Sequence, residues 1–242
     1  MIALNAHARP VVMVIGADRP LAARVCQELA DVHHCTVIAT AADARKIPQR
    51  LKSHGVQRVR LDVKDEARLR RFFIEHANAY QRLDAVVYCP DPVVDAPADL
   101  LDLPHQLPAL LESNLIAPWA CLAHAVQWLT EFGGRALVLA TTDCSRLHRQ
   151  APGLQMSQAA LTRYAELLTA ELAYTADGGG APIGFTTMPV DPWKEKEPEG
   201  LEHLATQLVQ AVLGPLGQSA EHRGGGQNSS SSGSVITPSS GS

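Results

Sequence analysis

The sequence predicts a single α/β domain, a mostly parallel sheet of six or seven strands with helices on both faces. Three observations carry this expectation. Short continuous apolar runs such as Val11–Ile15, reading VVMVI, suit strands buried on both faces. Amphipathic helical stretches alternate with these runs, which implies right-handed βαβ units. The length of 242 residues, 46% of them hydrophobic, supplies the core of one such domain and falls short of two typical ones.

The elements follow in order, with residues 1–10 read as an N-terminal extension, 11–216 as the domain and 217–242 as a tail. Val11–Ile15 ends in Gly16, and Leu21–Ala30 reads as a helix, so the chain begins strand–turn–helix. Thr36–Ala39 and Val56–Leu61 are the second and third strands, and Glu66–Ala77 is a charged amphipathic helix. Leu83–Tyr88, reading LDAVVY, is the fourth strand. Pro104–Glu131 is a long helix broken or bent near Pro118. Arg135–Ala140 and Ile183–Met188 are the fifth and sixth strands.

Between them lies Leu154–Leu172, with apolar residues at Leu154, Ala160, Leu161, Tyr164, Leu167, Leu168 and Leu172. That spacing of three to four is a helix, punctuated by Pro152–Gly153 before it and Gly178–Gly180 after it. Leu201–Leu213 is a further amphipathic helix. Gly224–Ser242 has the glycine- and serine-rich composition of a flexible tail, although Gly233–Gly241 could also form a seventh, proline-limited strand.

Composition narrows the function classes. A formal net charge of -4 gives no electrostatic reason for nucleic acid or an anionic membrane as partner. No basic segment precedes an apolar run at the N-terminus, and no apolar run approaches the roughly 20 residues of a membrane-spanning helix. Cys26, Cys35, Cys89, Cys121 and Cys144 are odd in number, dispersed and without C-x-x-C spacing. They read as reduced thiols in a cytoplasmic protein rather than a disulfide frame or zinc site.

Several ordered motifs resemble the classical short-chain dehydrogenase/reductases, whose fold is Rossmann-like. Ser157–Leu161, reading SQAAL, resembles the family's SKAAL. Ile15–Ala22, reading IGADRPLA, stands where the family has T-G-x-x-x-G-x-G, and Asp62-Val63 resembles its Asp-Val. LDAVVY resembles the L-D-x-L-V that precedes Asn-Asn-Ala-Gly, here Tyr88-Cys89-Pro90-Asp91. Asn114, Thr141-Thr142 and Pro189-Val190 match the helix-four Asn, the Ser-Ser and the Pro-Gly of the family. The likeness runs through roughly residues 10–215.

The resemblance implies an NAD(P)-dependent oxidoreductase with a Tyr and Lys one helical turn apart, the Lys lowering the Tyr pKa for general acid–base work. Those positions are Leu154 and Gln158 here, and neither side chain exchanges a proton or carries charge at pH 7. Asn114, matching a residue that supports a water in the proton relay, and Thr142, matching the serine that orients a substrate carbonyl, keep suitable chemistry.

The cofactor positions implied are Gly16, Arg19, Asp62 and Val63. Pro20 has no N–H for a phosphate, and Pro90-Asp91 crowds the ribose side. Thr40, Ala41 and Ala42 replace the acidic residue of an NAD site, whereas Arg19 matches a position facing the 2′-phosphate in NADPH-dependent members, with Arg45 nearby. Two readings stay open, a weak NADP(H) site or a plain structural turn with solvated arginines. Tyr88, Asp143, His148, Cys144, Tyr164 and Tyr174 are considered as substitute proton donors or nucleophiles, and Tyr164, ten residues past Leu154, lies about 15 Å along the helix at about 1.5 Å per residue.

Three functions follow as expectations. The first is a pseudoenzyme acting as a nucleotide- or ligand-binding or oligomeric scaffold. The second is an atypical NADP(H)-dependent carbonyl reductase without the Tyr–Lys pair, and the third is a sensor of an unidentified small molecule. A homo-oligomer, dimer or tetramer, is expected through the helices at 104–131 and 154–175.

Overall fold

Side chains alternate across each strand, and that period of two sorts the core into two layers. In the computed structural model, which describes residues 9–90, 103–143, 151–177, 183–191 and 193–224, six strands form one sheet. They are β1 (Val11–Ile15), β2 (Thr36–Ala41), β3 (Gln57–Arg60), β4 (Ala85–Tyr88), β5 (Ala136–Thr142) and β6 (Gly184–Val190). All neighbours pair in parallel, in the order β3-β2-β1-β4-β5-β6. The expected parallel α/β sheet is therefore present with six strands among the described residues, and the alternative seventh strand at 233–241 lies outside them.

Among the described residues the α-helices are α1 (Pro20–Asp31), α2 (Glu66–Tyr80), α3 (Leu103–Leu111), α4 (Ala117–Phe132), α5 (Pro152–Asp177) and α6 (Pro198–Gly224). Val12, Val14, Val37, Ala39, Ala85, Val87, Ala136 and Val138 face one layer with Leu21, Val25 and Leu29 of α1 and Leu204, Leu208 and Val212 of α6. Val11, Met13, Ile15, Ile38, Val86, Leu137 and Leu139 face the other, with Phe73 of α2, Leu122 and Leu129 of α4, and Leu161 of α5. Burial of these apolar side chains, at about 1.5–3 kcal/mol each, is the main term holding the sandwich together. The helix α6 runs on to Gly224, so residues 217–224, read as the start of the tail, are helical instead.

The bend expected near Pro118 has a defined form. A π turn, Glu112–Ile116, joins α3 to α4, and Ala117 N–H donates to Glu112 O rather than to the residue one helical step nearer. Pro118 has no N–H to give to the carbonyl four residues before it, which belongs to Asn114, and a widened turn accommodates that loss. The whole run His105–Phe132 is long and apolar enough to cross a membrane, which corrects the expectation that no such stretch exists. Its apolarity is used within the fold: Cys121, Leu122, Ala125 and Leu129 are buried against the sheet.

The strand order reverses at β1, which has β2 on one side and β4 on the other. In open parallel sheets the crevice beyond the carboxyl ends of two such strands is where ligands settle. Here that crevice is bounded by Gly16, after β1, and by Cys89 and Pro90, after β4.

Candidate functional site

Gly16 shows why the first turn needs glycine. Its φ is +90°, and a Cβ there would lie 2.0 Å from the Cys89 carbonyl oxygen. Only a residue without a side chain permits this approach of the two strand ends. The Gly16 and Ala17 N–H groups both donate to Thr40 O, at 2.9 and 2.8 Å, so the turn is tied to β2. Arg19 N–H returns to Gly16 O at 3.1 Å, and Pro20 opens α1 in the first-turn position where a missing N–H costs least.

Two donors at this helix end, the Leu21 N–H and the Arg19 guanidinium, face a carboxylate of the same chain. Leu21 N–H donates to Glu195 Oε1 at 3.3 Å. The Arg19 guanidinium pairs with Glu195 Oε2 and also donates to Pro90 O. Both side chains are largely covered, at 12% and 10% exposure. Arg19, expected to face a 2′-phosphate, is thus drawn toward β4 and the segment after β6. As they stand, these residues do not fit a dinucleotide diphosphate, because a negative group already sits on the helix end and on the only guanidinium of the turn.

The other cofactor positions are placed separately. Asp62 follows β3, where its Oδ1 accepts from Lys64 N–H at 3.1 Å, and Val63 packs against the second core layer. Arg45, in the turn after β2, folds back on Asp43 with a pair of side-chain hydrogen bonds of 3.0 Å each. Those bonds, with a third from the Arg45 backbone N–H, hold the Asp43 carboxyl down at about 2. Asp91 lies outside the described residues.

Where the resemblance leads one to expect the proton-transfer pair, at Leu154 and Gln158, the structure has a buried apolar side chain and a structural amide. Leu154, in the first turn of α5, is 1% exposed. Gln158, one turn on and 6% exposed, accepts through Oε1 from the Thr142 backbone N–H at 3.0 Å. Between them Ser157 returns its hydroxyl to the Gly153 and Leu154 carbonyls, at 3.0 and 2.9 Å. Thr142, read as lying after the fifth strand, is its last residue, because β6 extends far enough for Val190 to pair with it. Asn114 is buried in the π turn, which packs against α5. The structure therefore joins Thr142 to Gln158 directly and brings the Asn114 turn to the same helix.

The substitute donors do not converge there. Tyr88 points into the second core layer, and burial, with Cys121 and Cys89 adding, pushes its phenol well above the usual value. Tyr164 packs on Trp119 with ring centroids 5.6 Å apart, and burial raises its phenol too. Tyr174 is 77% exposed near the far end of α5. Asp143 donates its backbone N–H to Val190 O, continuing the β5–β6 ladder. Cys144 and His148 lie outside the described residues.

Glu195 is the residue at this crevice that the sequence does not announce. Nothing local separates it from Glu197 or Glu199 in the run DPWKEKEPEG. Its partner Arg19 is 176 residues away, so only the assembled fold reveals the contact.

No family model and no curated protein matches the sequence. Solved structures do match the fold. A metagenomic short-chain oxidoreductase in complex with NADP superposes with a TM-score of 0.65 at 18% identity, over 84% of this chain and 92% of that one. A short-chain type dehydrogenase/reductase from Mycobacterium ulcerans gives 0.70 at 15% identity, over 84% and 82%. An alcohol dehydrogenase from the archaeon Thermococcus sibiricus, complexed with 5-hydroxy-NADP, gives 0.66 at 18%, over 83% and 91%. With its sheet order and its motifs in matching sequence, this chain has the fold of the short-chain dehydrogenase/reductases.

Proposed function

We propose that this chain is a non-catalytic protein of the short-chain dehydrogenase/reductase superfamily, serving as an oligomeric scaffold with weak nucleotide or ligand affinity. The observation that carries the proposal is the pair Leu154 and Gln158. Carbonyl reduction needs a proton delivered to the oxygen as charge develops there, and such assistance is worth about 10²–10⁴-fold. Leu154 has no proton to give. Gln158 is uncharged and spends its amide oxygen on the end of β5.

Two solved structures of the same fold carry NADP or 5-hydroxy-NADP, which makes NADP(H) the dinucleotide to test. Affinity should be weak, because Pro20 withholds one N–H and Glu195 engages the Leu21 N–H and the Arg19 guanidinium. A second reading, an atypical NADP(H)-dependent carbonyl reductase, is favoured by one observation: Asn114 and Thr142 retain suitable groups beside α5. Turnover abolished by Asn114→Ala or Thr142→Val would select that reading over the scaffold.

The scaffold role rests on an apolar surface. Met156, Leu167 and Tyr174 are exposed on α5 at spacings that return to one face of a helix, and Ile116 and Trp119 are exposed where the π turn meets α4. The Trp119–Tyr164 contact packs α4 on α5 at the side of the α5 stripe. A second copy of the chain is the proposed occupant, giving a dimer or tetramer by two-fold pairing. The four described cysteines, Cys26, Cys35, Cys89 and Cys121, are all buried free thiols, which supports placing the protein in the reducing cytoplasm.

A further inference from the structure

We infer that Glu195 is a built-in occupant of the diphosphate position, so that the turn carrying it holds the dinucleotide cradle shut. The inference rests on reading the β1–α1 turn as a former dinucleotide cradle, and it goes further by naming what fills it.

The first support is chemical. A phosphate at this crevice would take the helix-end amides and a cationic side chain as its donors. The Glu195 carboxylate takes that kind of set, with one oxygen on Leu21 N–H and the other on Arg19. Arg19 is further fixed by Pro90 O, so it bridges the Glu195 turn and the end of β4 across the crevice where the strand order reverses. A diphosphate arriving here meets a carboxylate of like charge and finds these donors engaged.

The second support is rigidity. Glu195 sits in a 3-10 turn, Lys194–Lys196, that is stitched at both ends. Glu195 N–H donates to Asp191 O at 3.1 Å, and Trp193 N–H donates to Asp191 Oδ1 at 2.9 Å. Asp191 is itself buried. On the far side Glu197 N–H donates to Lys194 O and Leu201 N–H to Glu197 O, which ties the turn to the start of α6. A Cβ on Gly200 would lie 2.4 Å from Lys194 O, so glycine lets the turn lie directly on that helix. Arg24 of α1 also holds Glu202 of α6, at 2.7 Å. The carboxylate is therefore presented by a braced turn between two packed helices rather than by a free loop.

Calorimetric titration of NADPH into the wild type, Glu195→Gln and Glu195→Ala tests this, with melting temperatures confirming that each variant is folded. The glutamine keeps the shape and removes the charge, and the alanine removes the group. Both should bind NADPH about tenfold more tightly or better. In the wild type, Lys194 and Lys196 flank Glu195, so trypsin reports the turn directly. Millimolar NADPH should speed cleavage after these lysines, because the dinucleotide enters only as the turn leaves. Unchanged or weaker binding in both variants, or NADPH that protects the two lysines, overturns the inference. Steady turnover by the wild type overturns the scaffold reading and leaves these binding results to be judged separately.

Discussion

The Gln158 side chain accepts a hydrogen bond from the Thr142 backbone N–H at 3.0 Å, tying α5 to the last residue of β5. A residue expected, from the resemblance, at the place of a catalytic lysine thus ties helix to strand. Replacing it by leucine removes that bond while keeping most of the volume. Urea unfolding should show a loss of about 1 kcal/mol, the usual net worth of such a bond. An unchanged midpoint would mean that the contact carries no stability.

Gly16→Ala should be far more damaging. The new Cβ would meet the Cys89 carbonyl oxygen at 2.0 Å, with φ at +90° where side chains are strained. A destabilisation of about 3 kcal/mol or more is expected from the combined clash and backbone strain, measured by thermal or urea unfolding. A fully stable Gly16→Ala variant would show that the strand ends are not held this closely.

The buried thiols give a pH signature. Burial pushes Cys35 up to about 11 and Cys89 up to about 12, from an ordinary 9.0. For Cys89, Arg19 opposes the rise and Glu195 adds to it. A thiol that ionises later in the folded state stabilises it fully below pH 9.0, and that contribution is lost as pH rises through about 11 and then 12. Native protein at pH 8 should leave Cys26, Cys35, Cys89 and Cys121 unmodified by a disulfide-exchange reagent, with full reaction on unfolding. Rapid labelling of any of the four in the native state would contradict the burial.

Self-association should depend on the exposed apolar surface. Light scattering at about tens of micromolar, where weak dimers persist, should give a dimer or tetramer. The Trp119→Glu and Leu167→Glu substitutions should yield folded monomer, since a charge on a buried apolar interface is costly. A wild type that is monomeric at that concentration contradicts the oligomer.

Much of this fold is legible in the sequence because its strands are buried on both faces. Val11–Ile15 and Ala85–Tyr88 read as apolar runs since the layers on either side both need apolar contacts. Edges are harder: β3 is a polar edge strand, reading QRVR, and its expected span of Val56–Leu61 shrinks to Gln57–Arg60. β5 lengthens to Thr142 because β6 reaches Val190, a pairing no single segment displays. Pro118 announces a bend, but the π turn that buries Asn114 comes from the backbone bond Pro118 cannot make.

The site is legible as a set of replacements, at Leu154, Gln158 and Pro20, since each is a local change of chemistry. The contacts that these residues and their neighbours make across the fold are not. The Gln158–Thr142 bond and the Glu195–Arg19 pair join distant segments, and only packing of α5 on β5 and of α6 beside α1 brings them together.

The most direct test of the account is a turnover assay on purified wild-type protein, with NADPH and NADH against ketones, quinones and aldehydes. No oxidation of either cofactor above the protein-free background is expected, because nothing at Leu154 or Gln158 can protonate a developing alkoxide. Turnover at about 1 s⁻¹ or faster, undiminished by substituting Asn114 and Thr142, would contradict both the non-catalytic reading and the placement of the site.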